Sequence, residues 1–332
     1  MRAVKTFGAV GWALAYGLLA LWWAVGGGGF PFGDGDPDPA IAKGMSILGW
    51  VRQERAAPVV AAVVFGAGAV ALWLAVRVRR QRPGGRLVEG TAWGVAVFLG
   101  VLLPDYRPLV ALGHVPVLLV GMPFGWPDGV TIASQLPWPV VNQLVCMGGA
   151  WLFATVAAAH RRLRLGREVD SISRWGVAAT WTAVAVPLVY AATRYAWALG
   201  IPVGFSAEQL RAMDREMPGI WWGGAAMGTL AVLGSVLTVG LVRPWGETFP
   251  RWIPLLRGRR VPVPVAVVPA MVVAMAVTSA GLMFTRHVIA DPSSINLGIN
   301  GPAVLWPLWG PALAVAALAY RRRRTGPVGG HP

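Results

Sequence analysis

The sequence predicts an all-α, polytopic membrane helical bundle of about eight transmembrane helices, and three observations carry that reading. Apolar residues make up 56% of the chain and charged ones 13%, about half the charge share of a soluble domain, so too little charge is available to coat a water-facing surface. Apolar runs long enough to cross a hydrocarbon core of about 30 Å as helices recur along the whole length. The basic residues flank those runs and do not gather on one module, which is the pattern that orients membrane proteins.

The spans fall at roughly 6–26, 58–77, 87–104, 139–160, 175–199, 218–242, 262–285 and 301–320. The first follows Met1-Arg2-Ala3-Val4-Lys5, a start that mimics a signal peptide. Its apolar run is too long for such a leader and no small-x-small cleavage site follows it, so it reads as a retained helix. With the N-terminus in the cytoplasm, 21 of the 29 basic residues fall on that side, in clusters such as Arg77 to Arg86, Arg161 to Arg174, Arg243 to Arg260 and Arg321 to Arg324. Ten of the 14 acids fall on the other side, Asp34, Asp36 and Asp38 among them. The charge asymmetry predicts a plasma-membrane protein with both termini cytoplasmic. Counting the short apolar segment Pro108 to Met122 as a ninth span would put Arg321 to Arg324 outside, so that segment reads as an external re-entrant or interfacial piece.

The chain reads as one membrane domain with a candidate internal duplication over 1–167 and 168–324, followed by a flexible cytoplasmic tail, 325–332. Tyr16 to Gly26 aligns without gaps on Tyr190 to Gly200, matching Tyr16/Tyr190, Trp23/Trp197, Ala24/Ala198 and Gly26/Gly200. Past a three-residue insertion Phe30 to Gly33 falls on Ile201 to Gly204, Gly68 to Arg77 on Gly234 to Arg243, and Ala157 to Arg162 on Ala317 to Arg322. An even number of spans per half makes the repeats parallel. No alignment joins spans three and seven.

At Tyr16 through Gly33 and Ala191 to Gly200, with the stretches Trp-Ala-x-Gly-Gly and Phe-Pro-Phe-Gly, the sequence resembles a group of uncharacterised multi-pass membrane proteins of high-GC actinobacteria. The resemblance implies the same topology and brings no activity, ligand or functional residue with it.

The familiar chemical signatures are absent: no phosphate loop, no His-Glu-x2-His zinc helix, no Gly-x-Ser-x-Gly elbow and no aspartate-rich pair. One cysteine, Cys146, excludes an internal disulfide and a thiol cluster. No ligand pair has short metal spacing, so neither a metal nor a cofactor is expected. A net charge of +15 would suggest nucleic acid in a soluble protein, but its placement beside apolar spans excludes that partner. The expected partners are the bilayer, with anionic inner-leaflet lipids along the basic stretch Arg243 to Arg260, and a small or amphipathic ligand; the sequence names no protein partner.

Ionisable groups within spans carry function by default. Glu89 and Arg194 lie near span ends, where snorkelling to the headgroups is the plain expectation. Arg194 with Tyr190, Tyr195 and Arg107 forms the candidate ligand-binding set, because a guanidinium pairs bidentately with carboxylate or phosphate. Asp105, His114, His287 and Asp291 are the candidate catalytic residues, suited to general acid–base work if brought together at the external face. The tryptophans read as interfacial belts, Pro187, Pro269, Pro307 and Pro311 as helix breaks, and Asn142 and Gln143 as interhelical glue. The leading function is a non-ATP-driven transporter or permease. Alternatives are a membrane-embedded enzyme on a lipid-linked or lipid-soluble substrate, and a non-catalytic scaffold or signalling partner.

Overall fold

The computed structural model describes residues 2–125, 131–166, 171–249, 256–292 and 301–325. The chain is all-α. Its helices are α1 (Arg2–Ala24), α2 (Pro39–Met45), α3 (Gln53–Arg79), α4 (Arg86–Val97), α5 (Arg107–Gly121), α6 (Ile132–Gln135), α7 (Trp138–Leu165), α8 (Ser171–Ala198), α9 (Ala207–Glu216), α10 (Ile220–Val239), α11 (Val263–Ala290), α12 (Gly301–Val304) and α13 (Trp306–Thr325). Among the described residues seven helices are long and apolar enough to cross a membrane, and eight if the pair Arg86–Leu102 and Arg107–Gly121, bent by 62°, is one span. This is a multi-pass membrane protein.

The bend has a local cause. A π-turn, Phe98–Leu102, continues α4, with Leu103 N–H donating to the Phe98 carbonyl at 2.8 Å, and Pro104 and Pro108 then prevent a regular ladder. By contrast α8, α11 and α13 run unbroken through Pro187, Pro269 and Pro311. The expected breaks at those residues do not occur. Near Pro187 the Ser235 hydroxyl of α10 lies 3.2 Å from the Val184 carbonyl and 3.0 Å from that of Ala231.

The chain divides into two compact units. Unit 1 comprises residues 1–111 and 131–169 and packs α1 against α3 and α7, with α4 on α7. The buried stripe of α1, Ala9, Ala13, Tyr16, Ala20 and Trp23, has helical spacing, and the opposite stripe, Leu14, Leu18, Leu21 and Trp22, is exposed and apolar. An apolar outer face is what lipid demands. Small residues let the backbones approach: a Cβ on Gly68 of α3 would stand 2.9 Å from that of Ala13.

Unit 2 comprises residues 112–130 and 170–332 and packs α8 against α10 and α13, with α11 on α13. The α8 C-terminus closes with Gly200 at φ +76°, Gly200 N–H on the Trp197 carbonyl and Ile201 N–H on that of Ala196. In unit 1, α1 closes the same way, with Gly26 at φ +89°, Gly26 N–H on Trp23 and Gly27 N–H on Trp22. Both are Schellman caps.

One further expectation changes. Trp22, Trp175 and Trp222 are exposed as a belt requires, but Trp23, Trp197 and Trp221 are buried core; neighbours in Trp22-Trp23 and Trp221-Trp222 point about 100° apart on a helix, so one of each pair faces inward. Of the stretch 243–260, residues 243–249 and 256–260 are described. A short turn, Pro244–Gly246, leads into an antiparallel bridge between Thr248 and Arg260. Residues 250–255 and 326–332, the latter nearly all of the expected tail, lie outside the described residues.

Candidate functional site

Unit 1 holds a charged clasp at the end of the helices away from the arginine clusters. The 3-10 turn Gly33–Gly35 delivers Asp36, and the break after α4 delivers Asp105 and Arg107. Arg107 Nη1 lies 2.8 Å from Asp36 Oδ2, and its Nη2 lies 2.7 Å from Asp105 Oδ2. Asp105 also accepts from Arg107 Nε (2.9 Å), from the Arg107 backbone N–H (2.9 Å) and from Gln143 Nε2 (3.0 Å), while Gln143 Oε1 accepts from Asp105 N–H at 3.1 Å. Asp105 is fully buried and Asp36 nearly so. Four donors on one carboxylate match its acceptor capacity of about four sites, so Asp105 is held as a tie between the broken span and α7.

The polar groups continue inward along α7. Asn142, next to Gln143 and fully buried, accepts from the Tyr16 hydroxyl at 2.9 Å, and Cys146 Sγ lies 3.6 Å from the same hydroxyl. Trp12 stacks on Tyr16 with centroids 4.8 Å apart, and Tyr16, Trp23, Phe30 and Phe32 follow edge to face. Nδ2 of Asn142 is buried with no hydrogen-bond partner among the described residues.

At the basic end of unit 1 Glu89, His160 and Arg164 form a lock. Glu89 Oε2 accepts from His160 Nδ1 at 3.0 Å and from Arg164 Nε at 3.0 Å, and Oε1 from Arg164 Nη2 at 3.2 Å. Glu89 therefore does not snorkel: it is buried because two donors from α7 meet it there. The loop joining α3 to α4 is tied in by Gly84, whose backbone N–H donates to His160 Nε2.

Unit 2 carries a different lock on the loop between α10 and α11. The buried Tyr320 donates its hydroxyl to the Gly246 carbonyl at 3.0 Å. Arg324 donates to Tyr320 Oη at 2.7 Å and to the Val261 carbonyl at 3.1 Å, and Arg323 donates to the Leu241 carbonyl. Toward the other end, Arg194 lies between two aromatic faces, its Cζ 4.3 Å from the Tyr190 ring centre and 4.2 Å from that of Trp197. Tyr190 also neighbours Trp306, which packs edge to face on Phe284.

Of the residues singled out in the sequence, the structure brings Asp105 to Arg107 in unit 1 and Tyr190 to Arg194 in unit 2. Tyr195 faces elsewhere and shares a hydrogen bond with Thr229 at 2.9 Å. His114 is half-buried on α5, His287 half-buried in the last turn of α11, and Asp291 exposed just after it, closing the helix with its N–H on the His287 carbonyl at 2.9 Å. Among the described residues no three His, Cys, Asp or Glu side chains are grouped to hold a metal ion. Sequence reasoning missed Asp36, Tyr16, His160, Arg164, Tyr320 and Arg324 as parts of polar assemblies. One signal was available: His160 falls on Tyr320 when Ala157 to Arg162 is aligned with Ala317 to Arg322. No protein-family model, no curated protein and no solved structure matches this chain.

Proposed function

We propose that the protein is a non-ATP-driven carrier of a small or amphipathic molecule, set in the plasma membrane with both termini cytoplasmic and built from two parallel copies of a four-helix repeat. The observation that carries the reading is the line of buried polar groups in unit 1, from Asp36, Arg107 and Asp105 through Gln143 to Asn142, Tyr16 and Cys146. Cys146 is eight residues into α7, about 12 Å along the helix at 1.5 Å per residue. Polar and charged groups inside an apolar bundle are kept where they pair with one another and mark solute paths, and Nδ2 of Asn142, which no protein group among the described residues satisfies, offers a donor on that line.

The repeat reading is supported by the shared helix order, by the paired Schellman caps at Gly26 and Gly200 and by the locks centred on His160 and Tyr320. Carriers are commonly assembled from such repeats. The test is uptake by proteoliposomes of the full chain without ATP, using glycerol, benzoate and ethidium as a polyol, an amphipathic anion and an amphipathic cation. Uptake of at least one above protein-free vesicles is expected, reduced in Asn142→Leu that stays monodisperse in detergent. Vesicles that match protein-free controls for all three probes sink the reading.

A further inference from the structure

Where α3 ends, unit 1 opens into a cleft of about 520 Å³ lined by Leu72, Trp73, Val76, Arg77, Arg80 and Arg82. The chain turns there through a Schellman motif: Arg82 N–H donates to the Arg77 carbonyl at 3.0 Å and Gln81 N–H to that of Val78 at 3.2 Å. Gln81 sits at φ +53°, the one non-glycine residue at positive φ among the described residues, a conformation that L side chains adopt at a cost. The two residues such a motif brings together are ordinarily apolar and in contact. Here they are Arg77 and Arg82, two cations on one wall with Arg80 between them in sequence. Among the described residues no carboxylate pairs with any of the three. Arg77 is held over the Trp73 ring at 4.9 Å, and Leu72, exposed, continues the wall toward the apolar length of the helix.

We infer that this cleft binds the headgroup of an anionic phospholipid, its phosphodiester among Arg77, Arg80 and Arg82 and the start of its acyl chain along Leu72 and Val76. An anion relieves the repulsion that the turn builds in, and guanidinium forks suit phosphate oxygens. The apolar half of the wall, on a helix long enough to cross a membrane, selects a lipid over a free phosphate. The inference stands apart from the carrier reading, since nothing in it requires a transported molecule.

The experiment is thermal unfolding of the full chain in detergent with added phosphatidylglycerol, phosphatidylcholine or inorganic phosphate. Phosphatidylglycerol raises Tm and the other two do not. The double variant Arg80→Gln/Arg82→Gln alters only exposed side chains, so it folds, and it raises the half-saturating phosphatidylglycerol concentration by about 30-fold, as expected for two surface cationic contacts. Arg211→Gln/Arg215→Gln, equally exposed on α9 of unit 2, leaves it unchanged. An equal response to inorganic phosphate makes the cleft a free-anion site and overturns the lipid assignment; an undiminished phosphatidylglycerol response in the Arg80/Arg82 variant moves the lipid elsewhere and overturns it too.

Discussion

Gly84 donates its backbone N–H to Nε2 of His160 at 2.9 Å, and that bond sets the tautomer of a fully buried imidazole. A backbone N–H can only donate, so Nε2 is the acceptor and the proton resides on Nδ1, directed at Glu89 Oε2. The α3–α4 loop, the start of α4 and the end of α7 are thereby tied through one side chain. His160→Phe fills the volume but leaves the Gly84 N–H and a Glu89 oxygen without that partner, a loss of about 1–3 kcal/mol per buried group. Gly84→Ala acts on the same contact sterically, because its Cβ would stand 2.2 Å from the Trp73 ring and 2.9 Å from His160 Nε2. Both variants are expected to unfold at lower SDS fraction than the parent, and a parental midpoint for His160→Phe counts against the lock.

The clasp of Asp36, Asp105 and Arg107 sets two buried carboxylates against one guanidinium. Removing the cation leaves both anions facing each other in an apolar surround. Arg107→Met is therefore expected to cost about 3 kcal/mol or more. Asp36→Asn removes one link while the Asp105 pairing and its Gln143 bonds persist, so its cost is expected near 1 kcal/mol. The ordering of the two, read from the same SDS titration, is the test.

The helical bundle was legible because it rests on composition and run length, which need no knowledge of contacts. Orientation of side chains within a helix was only half legible. Trp22 and Trp23 are chemically identical, and the choice of which one meets Tyr16 and Phe30 is made by the phase of α1 against α3 and α7. The same limit hid Glu89: its place near a span end suggested the headgroups, whereas its partners lie 71 and 75 residues further along the chain. Asp105 and Arg107 were singled out for different roles, and their pairing is made by the turn between Pro104 and Pro108, which brings Arg107 Nε and Nη2 onto Asp105. Asp36 was not singled out, because only the fold of the α1–α3 loop separates it from Asp34 and Asp38.

That loop depends on Gly33. Its φ is +55°, and a Cβ there would stand 1.9 Å from the Val51 carbonyl oxygen, so Gly33→Ala meets both backbone strain and a clash with a main-chain atom. Gly26, at φ +89°, has open space around the same position, and Gly26→Ala bears the backbone strain alone, about 1 kcal/mol. Gly33→Ala is expected to be the more damaging by a clear margin and to displace Asp36 from Arg107, so that adding Asp36→Asn to it costs little more. Additive losses in the double variant would show that Gly33 does not position the clasp.

The proposed orientation can be tested with the one native thiol out of the way. Cys146 is fully buried, so the parent is expected to resist a membrane-impermeant maleimide. Glu208 of α9 and Arg86 at the start of α4 are both exposed, on the segments that the distribution of basic and acidic residues assigns to opposite sides of the membrane. In intact cells stripped of their outer layers, Glu208→Cys labels and Arg86→Cys labels only after the membrane is permeabilised. The reverse pattern inverts the topology, and with it places the cleft at Arg77, Arg80 and Arg82 in the opposite leaflet, where it would meet a different lipid population. Labelling of both in intact cells would mean that α4 to α8 do not keep the two segments apart, and the count of spans between them would have to change parity.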